Sequence, residues 1–577
     1  MSKYALFLAM WIVAGLLTAQ TLSGQQVSDT EASLLPEIDP QDIEIRSQYR
    51  ARFPGLRRQP ILGFTPGSRV FQVDPGRTPW LEELEDIAAR LPVGELERPD
   101  APEFRTFPFA DQGIGYGRLG FGRFNSPEAL FHTQYEAAED HWLSGTISHH
   151  SSGGHLAQQS GFRYFDNELN YRGKVSDRTL LGAFVDLNSD FNYLPGIQTP
   201  ATDLSELAGR KDYRNVATGM RLVNYQTIYN KLNAGFEARY STIDVTNEPL
   251  AGDAGLNEWG LSADADYTWT GERIHELFSI RSDLHVGGYE LMGGESHSWH
   301  LIGAWAGYQR MFNNYRTRID ARLGLQHAGD PEEPSAFYFA PELQGEHDLT
   351  SRIMVSASVK GEAEHPGHME LHTKNRFLLP QHSIRHSYHL EGKMELVIEM
   401  LPYNKIRAGA SYRQTKNHPY FSRQQISNAQ QGSEITTGYY VLQYGNASIP
   451  RAWAGVSVDL SRDNLWFDLE GYMQWPEFTN GQEIPFTESY GVRGGVNFRP
   501  IDRVHIEGWG NLSGPRKTAE GDDLPAYFIL GGKAEVRLTD RVGVYGKAVN
   551  LLNESYELWQ GFEERPLQIY GGVLISF

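Results

Sequence analysis

The chain has 577 residues, a net charge of −20 and no cysteine. Absence of cysteine excludes a disulfide scaffold, a thiolate metal or redox site and a lipidated N-terminal cysteine, and the acidity argues against nucleic acid as a partner, since phosphates would be repelled. Mean hydropathy is −0.47, yet 59 Gly, 29 Tyr, 28 Phe and 12 Trp suit strands that alternate a lipid face with a wet face and so average out to polar.

In chain order, the N-terminus carries an export address. Lys3 is a short positive region, and Ala5 to Ala19 is apolar apart from Thr18. Small or polar residues (Thr21, Ser23, Gly24) follow. The pattern is that of a secretory signal peptide over residues 1–24, too short and wrongly flanked for a membrane anchor. No later stretch approaches the roughly 18 unbroken apolar residues of a membrane helix.

Residues 25–112 have a different character. Arg50, Arg52, Arg57 and Arg58 form a basic knot on an acidic chain. Thr78-Pro79 is a helix start, with Leu81, Leu84, Ile87, Ala88 and Leu91 at helical spacing. Pro92 stops that helix, and Pro99, Pro102 and Pro108 mark a linker. The expectation is a small periplasmic or lumen-docked segment, with the four arginines docking at lumen carboxylates such as Asp468, Glu470, Glu507 and Glu535.

From about Gly113 to Phe577 the period becomes two. Ile319, Ala321, Leu323 and Leu325 alternate with Arg318, Asp320, Arg322 and Gln326. Leu465, Phe467, Leu469, Met473 and Trp475 alternate with Asn464, Asp468, Glu470 and Gln474. Ile406, Ala408, Ala410 and Tyr412 alternate with Lys405, Arg407, Ser411 and Arg413. One face apolar and one charged, strand after strand, fits a wall between lipid and a wet lumen. Short polar links recur about ten times, from Glu139-Asp140 to Thr539-Asp540, with longer Gly-, Pro- and acid-rich loops between them. Ten short periplasmic turns, with both termini on that side, predict an all-β fold: a closed antiparallel barrel of about 22 strands. The chain ends on an amphipathic strand, Leu567, Ile569, Gly571, Val573, Ile575 and Phe577 on one face. A barrel must pair its last strand with its first to remove both edges.

These residues carry a family resemblance. Val544-Tyr545-Gly546-Lys547-Ala548-Val549-Asn550-Leu551-Leu552-Asn553, then Tyr556, Trp559 and the final Phe577 strand, resemble the last hairpin of the TonB-dependent receptors. Tyr439 to Leu460 is similar to another recurrent strand of the same barrels. The resemblance implies an outer-membrane receptor of a Gram-negative-type envelope that takes up a small-molecule ligand. Its implied partners are outer-membrane lipid and lipopolysaccharide, the barrel assembly machinery and TonB as energising protein. Fewer than ninety residues separate the signal from the barrel, so the plug domain of that family is expected to be reduced or missing. The alternative is a plugless passive pore, or a structural or adhesion barrel. What fills the lumen separates the two.

Local chemistry is sparse. Gly115-Tyr116-Gly117-Arg118-Leu119-Gly120 fits the dinucleotide fingerprint literally, but a strand-like run follows where a helix is required. Glycines of a first barrel strand are the better reading, and no cofactor is expected. His365, His368 and His372 are the candidate metal ligands, within a run that continues to His382, His386 and His389. The default for that run is a polar outer loop, and His149, His150 and His155 are read likewise. Asp244, Glu248, Asp253, Asp330, Glu332 and Glu333 are acidic loop residues without calcium-loop spacing, so solvated charge is expected. Nothing resembles a nucleophile elbow, and the chain is not expected to be an enzyme.

Overall fold

A computed structural model of the chain describes residues 115–577, except 156–159, 195–197, 200–201, 204–208, 228–229, 247–253, 272–274, 293, 295, 313–315, 332, 381–383, 402–403, 429–432 and 461–463. The signal peptide, the segment 25–112 with Arg50, Arg52, Arg57 and Arg58, and His382, Glu248, Asp253 and Glu332 lie outside the described residues.

The described chain is a closed antiparallel barrel of 22 strands. In chain order the first seven are β1 (Gly115–Gly122), β2 (Ser126–Ala138), β3 (His141–Ser152), β4 (Phe162–Ser176), β5 (Thr179–Leu194), β6 (Gly209–Tyr225) and β7 (Lys231–Thr246). Then come β8 (Ala254–Thr270), β9 (Glu276–Leu291), β10 (Ser296–Phe312), β11 (Thr317–Gly329), β12 (Ala336–Thr350) and β13 (Ile353–Glu364). A short helix, α1 (His368–Lys374), precedes β14 (Ser387–Leu401), β15 (Asn404–Asn428), β16 (Ser433–Asp459) and β17 (Leu465–Gln474). The wall ends with β18 (Tyr490–Ile501), β19 (Val504–Ser513), β20 (Tyr527–Arg537), β21 (Val542–Val549) and β22 (Gln568–Ser576).

Each strand pairs with its neighbours in sequence, and β22 pairs with both β21 and β1. The seam aligns Tyr116 with Ser576 and Gly122 with Tyr570. Gly115 and Phe577 then exchange backbone hydrogen bonds of 3.0 Å in both directions. The ring of Phe577 stacks on Phe131 at 5.4 Å. All ten short turns read from the sequence join consecutive strands at the end that holds Gly115 and Phe577. The long connections lie at the other end.

The faces are as the alternation requires. On β11, Leu323 is 52% and Leu325 59% exposed, pointing outward to lipid. Arg322 points inward, 3.7 Å from Asp320 and 3.5 Å from Glu342, which also meets Arg281 at 3.3 Å. On β22, Ile569, Val573 and Ile575 face out, while Gln568, Tyr570 and Ser576 are buried on the lumen side. The glycines of β1 have a packing reason. A Cβ on Gly120 would run into the Tyr545 hydroxyl, and one on Gly122 into the Tyr570 ring. Bulky lumen residues cross the seam where β1 has no side chains, and the dinucleotide-like spacing is a by-product.

Two outcomes test this wall. Leu323→Arg is expected to destabilise the barrel by about 2–4 kcal/mol if it lies near mid-bilayer, in a reversible folding assay in lipid vesicles. Arg322→Leu, which leaves Glu342 paired with Arg281, should cost less; equal losses would mean that the faces are inverted. Phe577→Asp places a carboxylate at the closing seam and should reduce assembled barrel, read as loss of heat-modifiable gel mobility.

Candidate functional site

The connection between β13 and β14 is the one that shapes the lumen. Its described residues, 365–380 and 384–386, fold inward instead of standing in solvent, and His368 and His372 on α1 are 3% and 5% exposed. Seven residues are too few to hold a helix alone, since isolated helices shorter than about 12–15 residues are marginal in water. The barrel wall supplies what α1 lacks.

Glu258 of β8 stands at the N-terminus of α1. It accepts hydrogen bonds from the backbone N–H of His368 at 3.0 Å and of Met369 at 3.4 Å, and from Ser241 Oγ at 3.4 Å. Lys211 of β6 stands at the other end. Its ammonium donates to the carbonyls of Arg376 at 3.1 Å and Leu378 at 3.2 Å, and bonds Nδ1 of His372. Glu258 satisfies backbone donors of the first turn, which have no partner within a helix, and the Lys211 amine satisfies two carbonyls just beyond the last turn. The two ends of the helix are thus fixed by wall residues 47 positions apart in sequence.

Further ties follow along the loop. Tyr289 Oη accepts from Ile384 N at 3.2 Å, and Tyr444 Oη from Arg385 N at 3.0 Å. Leu371, Leu378, Ile384 and Leu442 form one apolar cluster. Phe377, Leu379, Tyr439, Tyr440, Phe562 and Val245 form another, against which Phe421, Phe486 and Trp559 pack. Phe377 stacks on Phe562 at 3.6 Å, and Arg376 pairs with Glu564 at 2.8 Å. Loops from three connections therefore share a hydrophobic core with residues of β7, β15 and β16.

The loop's end is pinned by Asp330. The carboxylate accepts from His386 Nδ1 at 2.6 Å, from His386 N at 3.1 Å and from Glu333 N at 2.8 Å. His386 Nε2 meets Tyr338 Oη at 2.8 Å. Glu333 accepts from Asn417 Nδ2 at 3.1 Å and lies 3.5 Å from Arg385. Burial would raise the Asp330 carboxyl, but the hydrogen bonds from His386 and Glu333 outweigh it and hold it down to about 2. Among the described residues, Asp330, Glu333 and His386 are also the group whose ligand atoms lie within 4.8 Å of one another, as a metal requires. Their hydrogen bonds to one another and to Tyr338, Asn417 and Arg385 already give the trio a structural task.

The histidines singled out in the sequence share one loop but have different surroundings. His365 stacks on Trp299 at 4.0 Å, and burial pushes its ring down to about 3, so it is neutral at physiological pH. His368 meets Tyr289 edge-on at 4.7 Å, and its ring centre is 6.2 Å from that of His372. The expectation of a solvated His-rich loop does not hold: apolar residues at 371, 377, 378, 379 and 384 are spaced without a helix or strand period, so no periodic signal marks the burial. The same correction applies to Asp330, whose side chain is enclosed. His150 faces Phe162 and Tyr570 instead of a ligand cluster. Glu258 and Lys211 were not legible at all, since each reads as one more wet-face charge of a strand.

Of the lumen carboxylates expected to receive the arginine-rich segment, Glu470 lies 3.9 Å from Arg451 and 4.0 Å from Arg493. Glu535 pairs with Lys533 at 2.5 Å, and Glu507 lies 3.7 Å from His505 and 3.9 Å from Lys533. This sector of the wall is largely neutralised from within. The opposite sector, beneath α1, is not. There Asp166, Glu168, Asp186 and Glu237 line a cavity of about 890 Å³ roofed by Met369, Glu370, Thr373 and Lys374.

The Asp330 anchor gives a pH-dependent outcome. A carboxyl held below its ordinary value stabilises the fold above about pH 4, and that contribution is lost as pH falls towards 2. Because the chain has no cysteine, Thr373→Cys offers a single spin-label site on α1. Label mobility is expected to rise between about pH 4 and 2 while the barrel stays folded. In an Asp330→Asn background it should already be high at neutral pH, and Glu258→Gln should raise it without the pH step.

No family model matches the chain, and no curated protein does. Solved structures do match it. The FrpB iron transporter from Neisseria meningitidis superposes with a TM-score of 0.64 at 9% identity, covering 81% of this chain and 82% of that one. The ferric yersiniabactin uptake receptor FyuA from Yersinia pestis gives 0.62 at 12% identity, covering 80% of each chain. The copper transporter OprC gives 0.61 at 13% identity, again covering 80% of each. The chain has the fold of the TonB-dependent outer-membrane receptors, a 22-stranded barrel.

Proposed function

We propose that the chain is an outer-membrane receptor that takes up a small ligand, with TonB as the energising partner. The observation that supports this reading most is the inward-folded loop 365–386. It is held by Glu258, Lys211, Tyr289, Tyr444 and Asp330 and lies over a lumen cavity of about 890 Å³. A barrel of this width otherwise leaves an aqueous hole. A loop folded over a cavity suits capture and release of a ligand better than free diffusion.

The segment 25–112 is assigned the role of a stopper at or inside the barrel mouth, with Arg50, Arg52, Arg57 and Arg58 as its docking charges. What supports this is sign: the segment is a basic knot on a chain of net charge −20. Charge pairs in a partly desolvated lumen are screened less than at a surface.

Single-channel conductance in planar bilayers tests both parts. The full chain should be nearly silent, and removal of residues 25–112 should raise conductance and, in cells, antibiotic sensitivity. A full chain that is already openly conducting would instead identify a passive pore.

A further inference from the structure

The cavity beneath α1 has a chemistry of its own. Its volume of about 890 Å³ falls within the roughly 300–1,000 Å³ of small-molecule sites. Its walls come from β4, β5, β6 and β7, and its roof from α1. Two cations line it, and each has a carboxylate of its own: Arg239 pairs with Glu237 at 2.8 Å, and Lys374 with Glu370 at 2.6 Å. That leaves Asp166, Glu168 and Asp186.

These three carboxylates have few donors. Asp166 accepts from Ser148 Oγ at 3.2 Å, and Glu168 from Asn170 Nδ2 at 2.7 Å. Asp186 Oδ1 is buried and has no donor. Glu168 and Asp186 sit directly opposite each other in the β4–β5 register, and like charges directly opposite across a strand pair are destabilising. A separate observation points the same way. Asn215 on β6 is 4% exposed and lines the cavity, yet its Oδ1 has no donor either. A buried acceptor without a donor is costly, and a wall that keeps two of them at one cavity is built for a guest rich in donors.

The geometry also limits what that guest is. Asp166, Glu168, Asp186 and Asn215 are spread over three strands, and no three acidic ligand atoms here come within 4.8 Å of one another among the described residues. A single bare metal ion cannot bridge them. Resting on the uptake reading above, we infer that this cavity binds an extended organic cation with two or more ammonium or guanidinium groups. One cationic group lies between Glu168 and Asp186, where it relieves their repulsion, and another reaches Asp166. N–H donors of the ligand satisfy Asn215 Oδ1. The mouth loop, through Met369, Thr373 and Lys374, closes over it.

Isothermal titration of the full-length protein in detergent, with spermine as probe and citrate as anionic control, tests the assignment. Saturable spermine binding that weakens with salt is expected, with no binding of citrate. Glu168→Gln with Asp186→Asn should weaken spermine at least tenfold, and Asp468→Asn, on the far wall, should leave it unchanged. Should the double variant fail to assemble, Asn215→Ala removes only the unpartnered acceptor and should still weaken binding severalfold. Absence of spermine binding, equal binding of citrate, or undiminished affinity in assembled variants would overturn the site. A full chain with Arg50, Arg52, Arg57 and Arg58 changed to Ala separates the two sources of cationic groups. Unchanged affinity supports a free ligand, whereas tenfold tighter binding would make the chain's own segment the occupant and reject the free-ligand assignment. Spermine binding without uptake by cells would reject the transport reading alone, and uptake of another cargo without spermine binding would reject this site alone.

Discussion

Backbone hydrogen bonding in a medium without water is the constraint on which the rest depends. In lipid, an unpaired N–H or C=O has no solvent to turn to, so the only strands that can span are those of a closed ring. Here the ring closes between β1 and β22, over Tyr116–Gly122 and Tyr570–Ser576, with Gly115 and Phe577 completing the ladder. Glycines 120 and 122 give up their side chains so that Tyr545 and Tyr570 can cross the seam on the lumen side. The closing strands are joined by backbone hydrogen bonds, and on the lumen side Tyr545 of β21 reaches across them to hydrogen-bond Glu128 of β2.

Once closed, such a ring has a lumen to fill. Among the described residues, the connection between β13 and β14 is what enters it. Residues 365–380 and 384–386 enter the lumen because Glu258 and Lys211 of the wall bond the backbone at the two ends of α1 and two aromatic hydroxyls meet the backbone beyond it. The apolar clusters around Leu371 and Phe377 exclude water from those bonds, which strengthens them. Neither term suffices alone: a seven-residue helix does not persist in water, and an apolar loop without polar ties has no fixed place in a wide barrel.

The lumen charges then divide into two kinds. Around Lys533, Glu535, Glu507 and His505, and around Glu470, Arg451 and Arg493, cations and carboxylates are interleaved in the wall itself. Beneath α1, carboxylates face one another with fewer cations than they need. A barrel that required only solubility in its lumen would have no reason to keep the second arrangement, since like-charge pairs cost stability.

The sequence by itself determined the wall. Period-two alternation such as Leu323 and Leu325 against Arg322 and Gln326, ten short polar turns and an amphipathic last strand suffice for a barrel of 22 strands, because each strand's faces are fixed by the chain's own two-residue repeat. The resemblance of Val544 to Asn553 to the last hairpin of the TonB-dependent receptors matched the fold that the superpositions show. Only the tertiary structure decided what enters the lumen. The burial of His368, His372 and Asp330 depends on Glu258, Lys211, Tyr289 and His386, which come from other strands and loops. The acidic cavity exists because Asp166, Glu168, Asp186 and Asn215 fall beside one another in register across three strands. Sequence alternation says that each of these residues faces water or lumen. Which of them face each other is set by pairing register and by where a loop folds, and these are properties of the closed ring as a whole.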